Sequence, residues 1–368
     1  MVEWKYLGEV ANLVRGRVIS KDYIRDFEGE YPVYSSQTAN DGVLGYINSY
    51  MFDGNYLTWT TDGAYAGTIF RRKGKFSITN VCGLIDITCR NIKQDFLYFW
   101  LSKTAKDYVL EGMGNPKLMS NVASTILIPI PSLEEQTRIV GILDTFISAI
   151  DNLKEQIAQR RKQYEYYRDQ LLDLEGKSGV EMKKLGEIAT LQKTKNKQHL
   201  TENAYSITQA GLVPTKSFFK EKTNVTSSDT SGYYIVEKDW FVYSPSRIDV
   251  GSINYLKDEG PVIVSPIDVV FSVDSNICIP AYLLEYFFTY KGKKDLLKNR
   301  EGVEGMGRRN LPFDAIKGVQ IPLQPLSEQQ RIVSILDTFE ASIQNLEAQL
   351  KERQKQYEYY RNKLLSFE

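Results

Sequence analysis

The clearest pattern along the chain is a stripe of apolar residues that recurs in alternating steps of three and four positions. Residues 133–175 carry it, residues 326–368 carry it again, and 26 of the 43 aligned residues are identical. This spacing places the apolar residues on one narrow seam of a long helix, which must pair with another helix. About 40 residues at 1.5 Å per residue predict a helix roughly 60 Å long. The sequence therefore predicts two coiled-coil helices that pair with each other.

The seam residues of the two copies are equivalent at an offset of 193 positions, and at equivalent places Arg160 and Arg353 interrupt the seam. Ser132 with Glu135, and Ser327 with Gln330, have capping-box spacing and predict the starts of the helices. Because both copies lie in one chain, the expected arrangement is antiparallel with a pseudo-two-fold relation. The seam residues are Ile139, Leu143, Phe146, Ile150, Leu153 and Ile157 in the first copy and Ile332, Leu336, Phe339, Ile343, Leu346 and Leu350 in the second.

The segment before each helix shows short apolar runs between turn residues, which is typical of strands, followed by one apolar helix. The first segment has strands predicted at 31–34, 43–47, 56–60, 68–70 and 81–87, and a helix over 94–110. The second has strands at 233–236, 240–244, 261–264 and 268–271, and a helix from Pro280 to about Lys298. The predicted fold class is α/β of the mixed α+β type. Predicted domains are 1–132 and 178–325, with coiled-coil helices at 133–177 and 326–368.

The repeat also includes the start of each copy. Lys5, Leu7-Gly8-Glu9 and Ala11 match residues 183, 185–187 and 189 at an offset of 178. Between these anchors and the helices the copies diverge. Two copies that match at their ends and differ in their central segments predict two related surfaces that bind different ligands.

The charge is balanced, with 46 basic and 46 acidic residues and a formal net charge of zero. This balance argues against a polycationic coat for nucleic acid, although it leaves room for a local basic face. Cys82, Cys89 and Cys278 have no C-x-x-C spacing, which favours free thiols in a reducing cytoplasm. The first residues lack the apolar core of a signal peptide, and no apolar run approaches 18 residues. The expected localisation is cytoplasmic, without membrane contact.

The motifs of common catalytic sites are missing. His199 is the single histidine and is predicted to lie in an exposed loop. The sequence has no complete G-x-x-x-x-G-K-S phosphate loop, no Asn-Pro-Pro-Tyr-like methyltransferase loop and no G-x-S-x-G elbow. The chain is therefore predicted to have no catalytic residues and no metal site of its own.

Several of these features together resemble a known family. They are Leu-Gly-Glu near the start of each copy, a glycine-rich segment, an Ile-Pro-Ile-Pro strand and Leu-x-Glu-Gln at the start of the long helix. Their twofold occurrence resembles the specificity (S) subunit of type I restriction–modification enzymes, the HsdS family, over the whole chain. The sequences of residues 58–70 and 241–253 resemble segments of the target-recognition domains of that family.

This resemblance implies two globular target-recognition domains joined by two long antiparallel coiled-coil helices. Each domain would read one half of a bipartite, asymmetric site in double-stranded DNA. The paired helices would set the spacer between the halves and dock the methyltransferase subunits. The implied partners are two modification (methyltransferase) subunits and two restriction (motor–nuclease) subunits. S-adenosylmethionine, ATP and Mg²⁺ would act on those partners, and this chain would bind no cofactor and would be non-catalytic.

The candidate DNA contacts are polar and basic residues that we expect in loops of the two domains. Gln and Asn can pair with adenine, Ser and Thr with several base edges, and basic runs with phosphates. The first domain contributes Ser35, Ser36, Gln37, Thr38, Asn40, Thr60, Thr61, Asp62, Tyr65, Arg71, Arg72 and Lys73. The second contributes Lys193, Lys195, Lys197, Tyr243, Ser244, Ser246, Arg247, Arg308, Arg309 and Asn310.

Two other classes of function stay open at the level of sequence. A coiled-coil scaffold that binds only proteins would fit the neutral net charge. An enzyme with an unrecognised active site is the other alternative, and the missing motifs count against it.

Overall fold

A computed structural model describes residues 2–111, 114–209, 211–218, 229–298 and 311–367. The chain forms two compact units. Unit 1 comprises residues 1–154 and 348–368, and unit 2 comprises residues 155–347. Each unit therefore contains one globular part together with a portion of each long helix.

Unit 1 is built on a six-stranded sheet in the order β2-β7-β5-β6-β3-β4, beside the two-stranded pair β1-β8. Strands β3 and β6 are parallel, and the other neighbours are antiparallel. Its strands are β1 (Glu3–Tyr6), β2 (Ala11–Arg15), β3 (Glu28–Tyr34), β4 (Val43–Ile47), β5 (Phe52–Thr60), β6 (Ile69–Ile78), β7 (Cys82–Ile87) and β8 (Leu127–Ile130). Its helices are α1 (Leu7–Val10), α2 (Lys21–Asp26), α3 (Gln94–Thr104), α4 (Ser120–Ala123) and the first part of α5 (Leu133–Leu172).

Unit 2 has a four-stranded sheet in the order β10-β17-β14-β15 and three two-stranded pairs, β11-β12, β13-β16 and β18-β9. Its strands are β9 (Glu181–Lys184), β10 (Ala189–Gln192), β11 (Tyr205–Thr208), β12 (Gly211–Pro214), β13 (Tyr234–Val236), β14 (Phe241–Tyr243), β15 (Ile253–Tyr255), β16 (Val262–Val264), β17 (Val269–Val273) and β18 (Gln320–Leu323). Its helices are α6 (Leu185–Ile188), α7 (Thr215–Phe218), α8 (Pro280–Phe288), α9 (Tyr290–Leu297), α10 (Phe313–Ile316) and most of α11 (Leu326–Leu364).

The core of each unit joins one apolar helix to the sheet and to the start of a long helix. In unit 1, Phe96 and Trp100 of α3 lie with Leu57 of β5 and with Ile139 and Leu143 of α5. In unit 2, helix α8 lies in the corresponding core with residues 332, 333 and 336 of α11. Each long helix is therefore anchored in a domain core at its amino-terminal end, which an isolated coiled coil would not be.

The two long helices pair in antiparallel orientation, as predicted. In unit 2, Arg161 forms an ion pair with Glu347, and Tyr167 stacks on Phe339, so residue numbers rise along α5 as they fall along α11. The seam residues at 139, 143, 150, 332, 336 and 343 are buried, and those at 146, 153, 157, 339, 346 and 350 are half-buried. The coiled-coil prediction is confirmed.

Two local predictions about the helices were wrong. Ser327 does not cap α11, because the helix already begins at Leu326 and Pro325 stands where the first copy has Ser132. In the first copy the Ser132 hydroxyl does accept a hydrogen bond from the Glu135 amide, at 3.2 Å.

The helix predicted from Pro280 to about Lys298 is two helices, α8 and α9, which meet at Thr289. Thr289 has an extended backbone, with φ −65° and ψ 158°, and its hydroxyl caps the second helix by accepting from the Gly292 amide. A Cβ at position 292 would lie 1.9 Å from the Tyr286 carbonyl oxygen, so only glycine permits this close turn.

The nine predicted strands all overlap observed strands, but several short strands were not predicted. The strand pair β1-β8 and its counterpart β9-β18 lie at the two ends of each domain sequence. All four strands have four residues. The Ile-Pro-Ile-Pro motif and its repeat indicated β8 and β18, whereas β1 and β9 were too short for their alternation to be recognised. These pairs close each domain just before its long helix begins.

A buried glutamine joins each long helix to its domain. The Gln136 side chain is fully buried, accepts a hydrogen bond from the Lys93 amide at 2.7 Å and donates to the carbonyls of Asn91 and Pro131 at 2.8 and 2.9 Å. Lys93 is the residue that precedes α3, so this bond satisfies a free amide at a helix start.

Gln329 makes the same three bonds in unit 2. It is fully buried, accepts from the Ile279 amide at 2.9 Å and donates to the carbonyls of Ile277 and Gln324 at 2.9 and 2.8 Å. Ile279 precedes α8 as Lys93 precedes α3. The glutamine of the Leu-x-Glu-Gln motif is therefore a structural residue in both copies.

None of the helices in the described ranges combines the length and the apolar content that a bilayer crossing needs.

Candidate nucleic-acid interface

Each unit has its own copy of an equivalent sheet edge, built from three corresponding strands. In unit 1 the ends of β2 and β5 flank the start of β7, where Arg15 pairs with Gly83 and Thr60 with Cys82. In unit 2 the ends of β10 and β14 flank the start of β17 in the same order. We call this feature the recognition edge of each unit: residues 15–17, 61–67 and 79–82 in unit 1, and residues 193–197, 245–251 and 265–269 in unit 2.

At the recognition edge, seven residues lie between Thr60 and Thr68 after β5, and seven lie between Ser244 and Ser252 after β14. Residues 61–67 form the first loop, and residues 245–251 form the second. The Thr60 amide donates to the Thr68 carbonyl at 3.0 Å, and the Ser244 amide donates to the Ser252 carbonyl at the same distance. Each loop ends in a glycine with positive φ, 81° and 88°. The two loops have equivalent frames but different side chains, which is what two different targets require.

A buried aromatic residue supports each loop from below. The Trp59 indole N–H donates to the Leu118 carbonyl at 2.9 Å, and the Tyr243 hydroxyl donates to the Leu311 carbonyl at 3.0 Å. Trp59 pairs across the sheet with Gly83, where a Cβ would lie 2.2 Å from the indole ring. Tyr243 has a smaller ring, and its partner across the sheet is a valine. The cross-strand residue thus compensates for the size of the ring.

A second loop of unit 1, residues 35–42, lies next to the recognition edge. The Thr79 amide donates to the Tyr34 carbonyl at 2.9 Å, and the Thr79 hydroxyl donates to Ser35 at 3.3 Å. The Thr61 amide donates to the Val81 carbonyl at 3.1 Å. Residues 79–81 therefore bring two of the sequence-predicted loops together, those that contain Ser35 and Thr61.

Arg72 holds the second loop from inside the domain. Its side chain is buried, donates to Asp41 at 2.7 Å and to Thr58 at 3.1 Å, and lies over the ring of Tyr34 at 3.6 Å. Asn40 and Asp41 both have positive φ, near 50°. Burial raises the pKa of the Tyr34 hydroxyl. Arg72 thus stabilises an irregular loop conformation, and its charge pairs with Asp41 inside the domain.

The structure distributes the predicted contact residues over different environments. Those that are exposed to solvent are Asn40, Tyr65, Lys73, Lys193, Lys195, Lys197, Ser246 and Arg247. Partly exposed positions are Ser35, Ser36, Gln37, Thr38, Asp62 and Arg71, and buried positions are Thr60, Thr61, Arg72, Tyr243 and Ser244. Arg308, Arg309 and Asn310 lie outside the described residues.

The basic run at 71–73 lies within strand β6 and not in a loop. Side chains alternate along a strand, so its three members point to different places. Arg71 pairs with Asp95 and Asp144 at 2.9 and 3.0 Å, Arg72 is buried, and Lys73 is exposed. Of the three, Lys73 alone has its charge in solvent without a carboxylate within 4 Å among the described residues.

Each unit has a buried titratable group at the middle strand of its recognition edge. Cys82 is the first residue of β7 in unit 1, and Asp268 directly precedes β17 in unit 2. Burial raises the pKa of the Cys82 thiol to about 12 in unit 1 and that of the Asp268 carboxyl to about 7 in unit 2. Cys82 is opposite Thr60, and Asp268 directly precedes the residue opposite Tyr243. Burial therefore disfavours the thiolate of Cys82, which is the reactive form of a cysteine.

The long helices carry a second repeated feature, which we call the aromatic clusters. In the first cluster, within unit 1, Phe146 stacks on Tyr360 at 5.3 Å, Arg353 lies over Phe146 at 5.8 Å, and Tyr359 contacts Tyr360 at its edge. An open groove of about 530 Å³ lies against these residues. Tyr359 has 60% of its surface exposed.

The second cluster repeats these contacts within unit 2. Phe339 stacks on Tyr167 at 5.3 Å, Arg160 lies over Phe339 at 5.8 Å, and Tyr166 contacts Tyr167 at its edge. A groove of about 330 Å³ is lined by Arg160 and Phe339 of this cluster but not by its tyrosines, and Tyr166 is 61% exposed. Arg160 and Arg353 interrupt the apolar seam, and each covers the ring of a seam phenylalanine.

A duplicated mixed α/β unit on paired helices, with one recognition edge in each copy, is the architecture of a binding protein with two related recognition surfaces. The sequence model of the type I restriction modification DNA specificity domain matches the chain twice, over residues 1–160 and 177–355. The chain belongs to this family of type I DNA specificity subunits.

Relatives and solved structures agree with this assignment. A Mycoplasma pneumoniae protein named as a type I specificity subunit is 32% identical over 98% of this chain and 96% of its own length. The specificity subunit of the type I restriction enzyme MpnII, from the same organism, is 41% identical over 45% of this chain and 51% of its own length. The S subunit of a type I system from M. genitalium has the same fold, with a TM-score of 0.61 and 16% identity over 100% of this chain and 97% of that chain.

Sequence reasoning missed three kinds of residue at these sites. Trp59, Gln136 and Gln329 act through hydrogen bonds to backbone groups distant in sequence, although the repeated Leu-x-Glu-Gln motif was a usable signal for the glutamines. Arg15 and Arg17 were missed because β2, which ends at Arg15, is a short strand that was not predicted. The equivalence of 193–197 with 15–19 at the offset of 178 would have identified them.

Proposed function

We propose that each unit of this specificity subunit reads one half of a bipartite, asymmetric DNA site, and that the paired helices set the spacer between the halves. The observation that carries this proposal is the recognition edge, which has the same frame and different loop side chains in the two units. Base choice depends on which donors and acceptors meet the base edges. Two loops of equal length but different composition therefore favour two different half-sites.

The proposed protein partners are inferred from a feature that is the same in both units, whereas the proposed half-sites are inferred from loops that differ. The aromatic clusters have the same residues and nearly the same distances in both units. Exposed tyrosines beside an arginine are typical of protein-interface hot spots. Two identical clusters favour two copies of one protein partner, and we propose that each docks one methyltransferase subunit. Two restriction subunits would then complete the complex.

Replacing Tyr166 and Tyr359 with serine tests this docking. Each single variant is expected to bind one methyltransferase subunit normally and the other about ten-fold or more weakly, because a hot-spot tyrosine contributes on the order of 2 kcal/mol. The double variant should lose both. Native mass spectrometry of the mixtures measures the stoichiometry. Tyr290→Ser is the matched control, since Tyr290 is 77% exposed but belongs to α9. Normal binding of both subunits by the double variant would refute the docking sites.

We further propose that the chain is non-catalytic and binds no cofactor itself. S-adenosylmethionine would then be used by the methyltransferase subunits, and ATP and Mg²⁺ by the restriction subunits. Support comes from the missing catalytic motifs in the sequence.

A labelled-methyl transfer assay tests the proposed function as a whole. The pure chain should transfer no methyl group to DNA, methyltransferase subunits alone should transfer none to specific sites, and the mixture should methylate duplexes that contain the target. Transfer by the pure chain would contradict the non-catalytic role. Specific methylation by the methyltransferase subunits without this chain would contradict its role in recognition.

A further inference from the structure

The recognition edge of each unit carries a pair of basic residues whose charges face solvent. In unit 1, Arg15 is the last residue of β2 and Arg17 lies two residues beyond it; in unit 2, Lys193 and Lys195 follow β10. The offset between the two pairs is 178, the same as between the Leu-Gly-Glu anchors. All four side chains are exposed. A basic pair has thus been kept at this place while the neighbouring loops diverged.

The backbone fixes the position of the pair in unit 1. Arg17 forms a β-bridge with Thr79, and the Gly16 amide donates to the Cys82 carbonyl at 3.4 Å. A Cβ at position 16 would lie 2.1 Å from the Ile78 carbonyl oxygen, so glycine alone permits this approach. The backbone that carries the two arginines is therefore fixed to the end of the sheet and is not a free loop.

The side chains of the pair are held by neutral groups. Arg15 donates to the Asn80 carbonyl, and Arg17 donates to the Tyr23 hydroxyl at 3.3 Å with its guanidinium 5.4 Å from the Tyr23 ring centre. Within the described ranges, no carboxylate lies within 4 Å of the charged groups of either pair. Other exposed arginines, such as Arg25 and Arg138, do pair with carboxylates. The basic pairs therefore keep their positive charge available to a ligand.

The distance between the basic pair and the loop after β5 is close to the width of the DNA major groove. Between the end of β2 and the loop after β5 lies one strand, β7, so the two features are about 10 Å apart at two strand spacings of 4.7–4.9 Å. The major groove of B-DNA is about 12 Å wide. A loop that enters the groove would bring the basic pair to the phosphates at its rim.

We propose that Arg15 and Arg17 in unit 1, and Lys193 and Lys195 in unit 2, bind backbone phosphates of the DNA and so position the adjacent loops over the bases. This inference rests on the proposed function, because it requires duplex DNA at the recognition edge. It assigns the pair to affinity and orientation and assigns base choice to loops 61–67 and 245–251. Phosphate contacts fix register without reading sequence.

The test measures DNA binding by the full chain assembled with methyltransferase subunits, over a range of salt concentrations. Arg15→Gln with Arg17→Gln removes one pair. We expect weaker binding by the same factor to a target duplex and to an unrelated duplex. The slope of log affinity against log salt should fall by about 0.9 for each lost phosphate contact, or about 1.8 in all. Lys193→Gln with Lys195→Gln should do the same.

Two variants serve as controls. Arg15→Lys with Arg17→Lys keeps the charges and should retain most of the slope, and Arg25→Gln removes an exposed, carboxylate-paired charge from the same unit and should leave binding unchanged. An unchanged slope in the glutamine variants, with the parent binding its target, overturns the phosphate contacts but leaves the proposed function intact. A loss confined to the target duplex also overturns them, since it would mean base reading. Failure of the parent complex to bind any duplex overturns both proposals.

Discussion

Replacing Gln136 with leucine is expected to lower the free energy of unfolding by about 3–5 kcal/mol. The leucine fits the volume but removes three hydrogen bonds and leaves the Lys93 amide and two carbonyls without partners. Each polar group left unsatisfied in a buried environment costs about 1–3 kcal/mol. Gln329→Leu should have an effect of similar size, because its three bonds are equivalent. Urea unfolding followed by circular dichroism measures the change.

Gln330→Leu provides the control for this experiment. Gln330 is the exposed neighbour of Gln329 on the same helix, and its replacement should change stability by less than about 0.5 kcal/mol. Equal stabilities for Gln329→Leu and Gln330→Leu would show that the buried glutamine does not join the helix to the domain. Gln136→Glu keeps an acceptor for the Lys93 amide but faces the two carbonyls with a buried acceptor, so it should lower stability at least as much as Gln136→Leu.

A fragment of residues 1–177 is expected to form a homodimer and, with methyltransferase subunits, to direct methylation to a palindromic site. In the full chain Phe146 stacks on Tyr360, and Phe339 stacks on Tyr167. Tyr167 is the equivalent of Tyr360 at the offset of 193, so the fragment contains both partners of the contact. Two fragments in antiparallel orientation would make the contact twice, as a symmetric dimer requires.

Sedimentation equilibrium measures the association of the fragment, and methylation of test duplexes measures its target. Tyr167→Ser in the fragment should weaken the dimer, whereas Gln163→Ser, an exposed position on the same helix, should not. A fragment that stays monomeric at micromolar concentration in the presence of methyltransferase subunits would contradict this prediction. Methylation by the fragment of the asymmetric site that the full chain recognises would also contradict it.

The helices were predictable from sequence because their apolar seam repeats over about six heptads in two copies. The break between α8 and α9 was not, because it depends on a close approach of Gly292 to the Tyr286 carbonyl, which has no local sequence signature. Strands of the sheets were predicted from sequence where their apolar runs were long, as in β5 and β7. Four-residue strands such as β1 carry too few alternations.

The candidate interface was predictable in outline but not residue by residue. Ser244, Ser246 and Arg247 suggested a polar loop, and residues 245–251 do form one. Tyr243 looked equally polar in sequence, but it is fully buried because its hydroxyl finds the Leu311 carbonyl, 68 residues away. Burial of this kind depends on tertiary hydrogen bonds, which composition and spacing do not reveal.

On the proposed function, this chain gives a methyltransferase complex its DNA sequence specificity through two different half-sites. Mapping methylated bases across the genome, in cells that carry the methyltransferase subunits with and without this chain, tests it most directly. We expect one asymmetric motif of two constant half-sites at a fixed spacing, present only when the chain is present. A motif that persists without the chain, or one that consists of a single uninterrupted sequence, would contradict it.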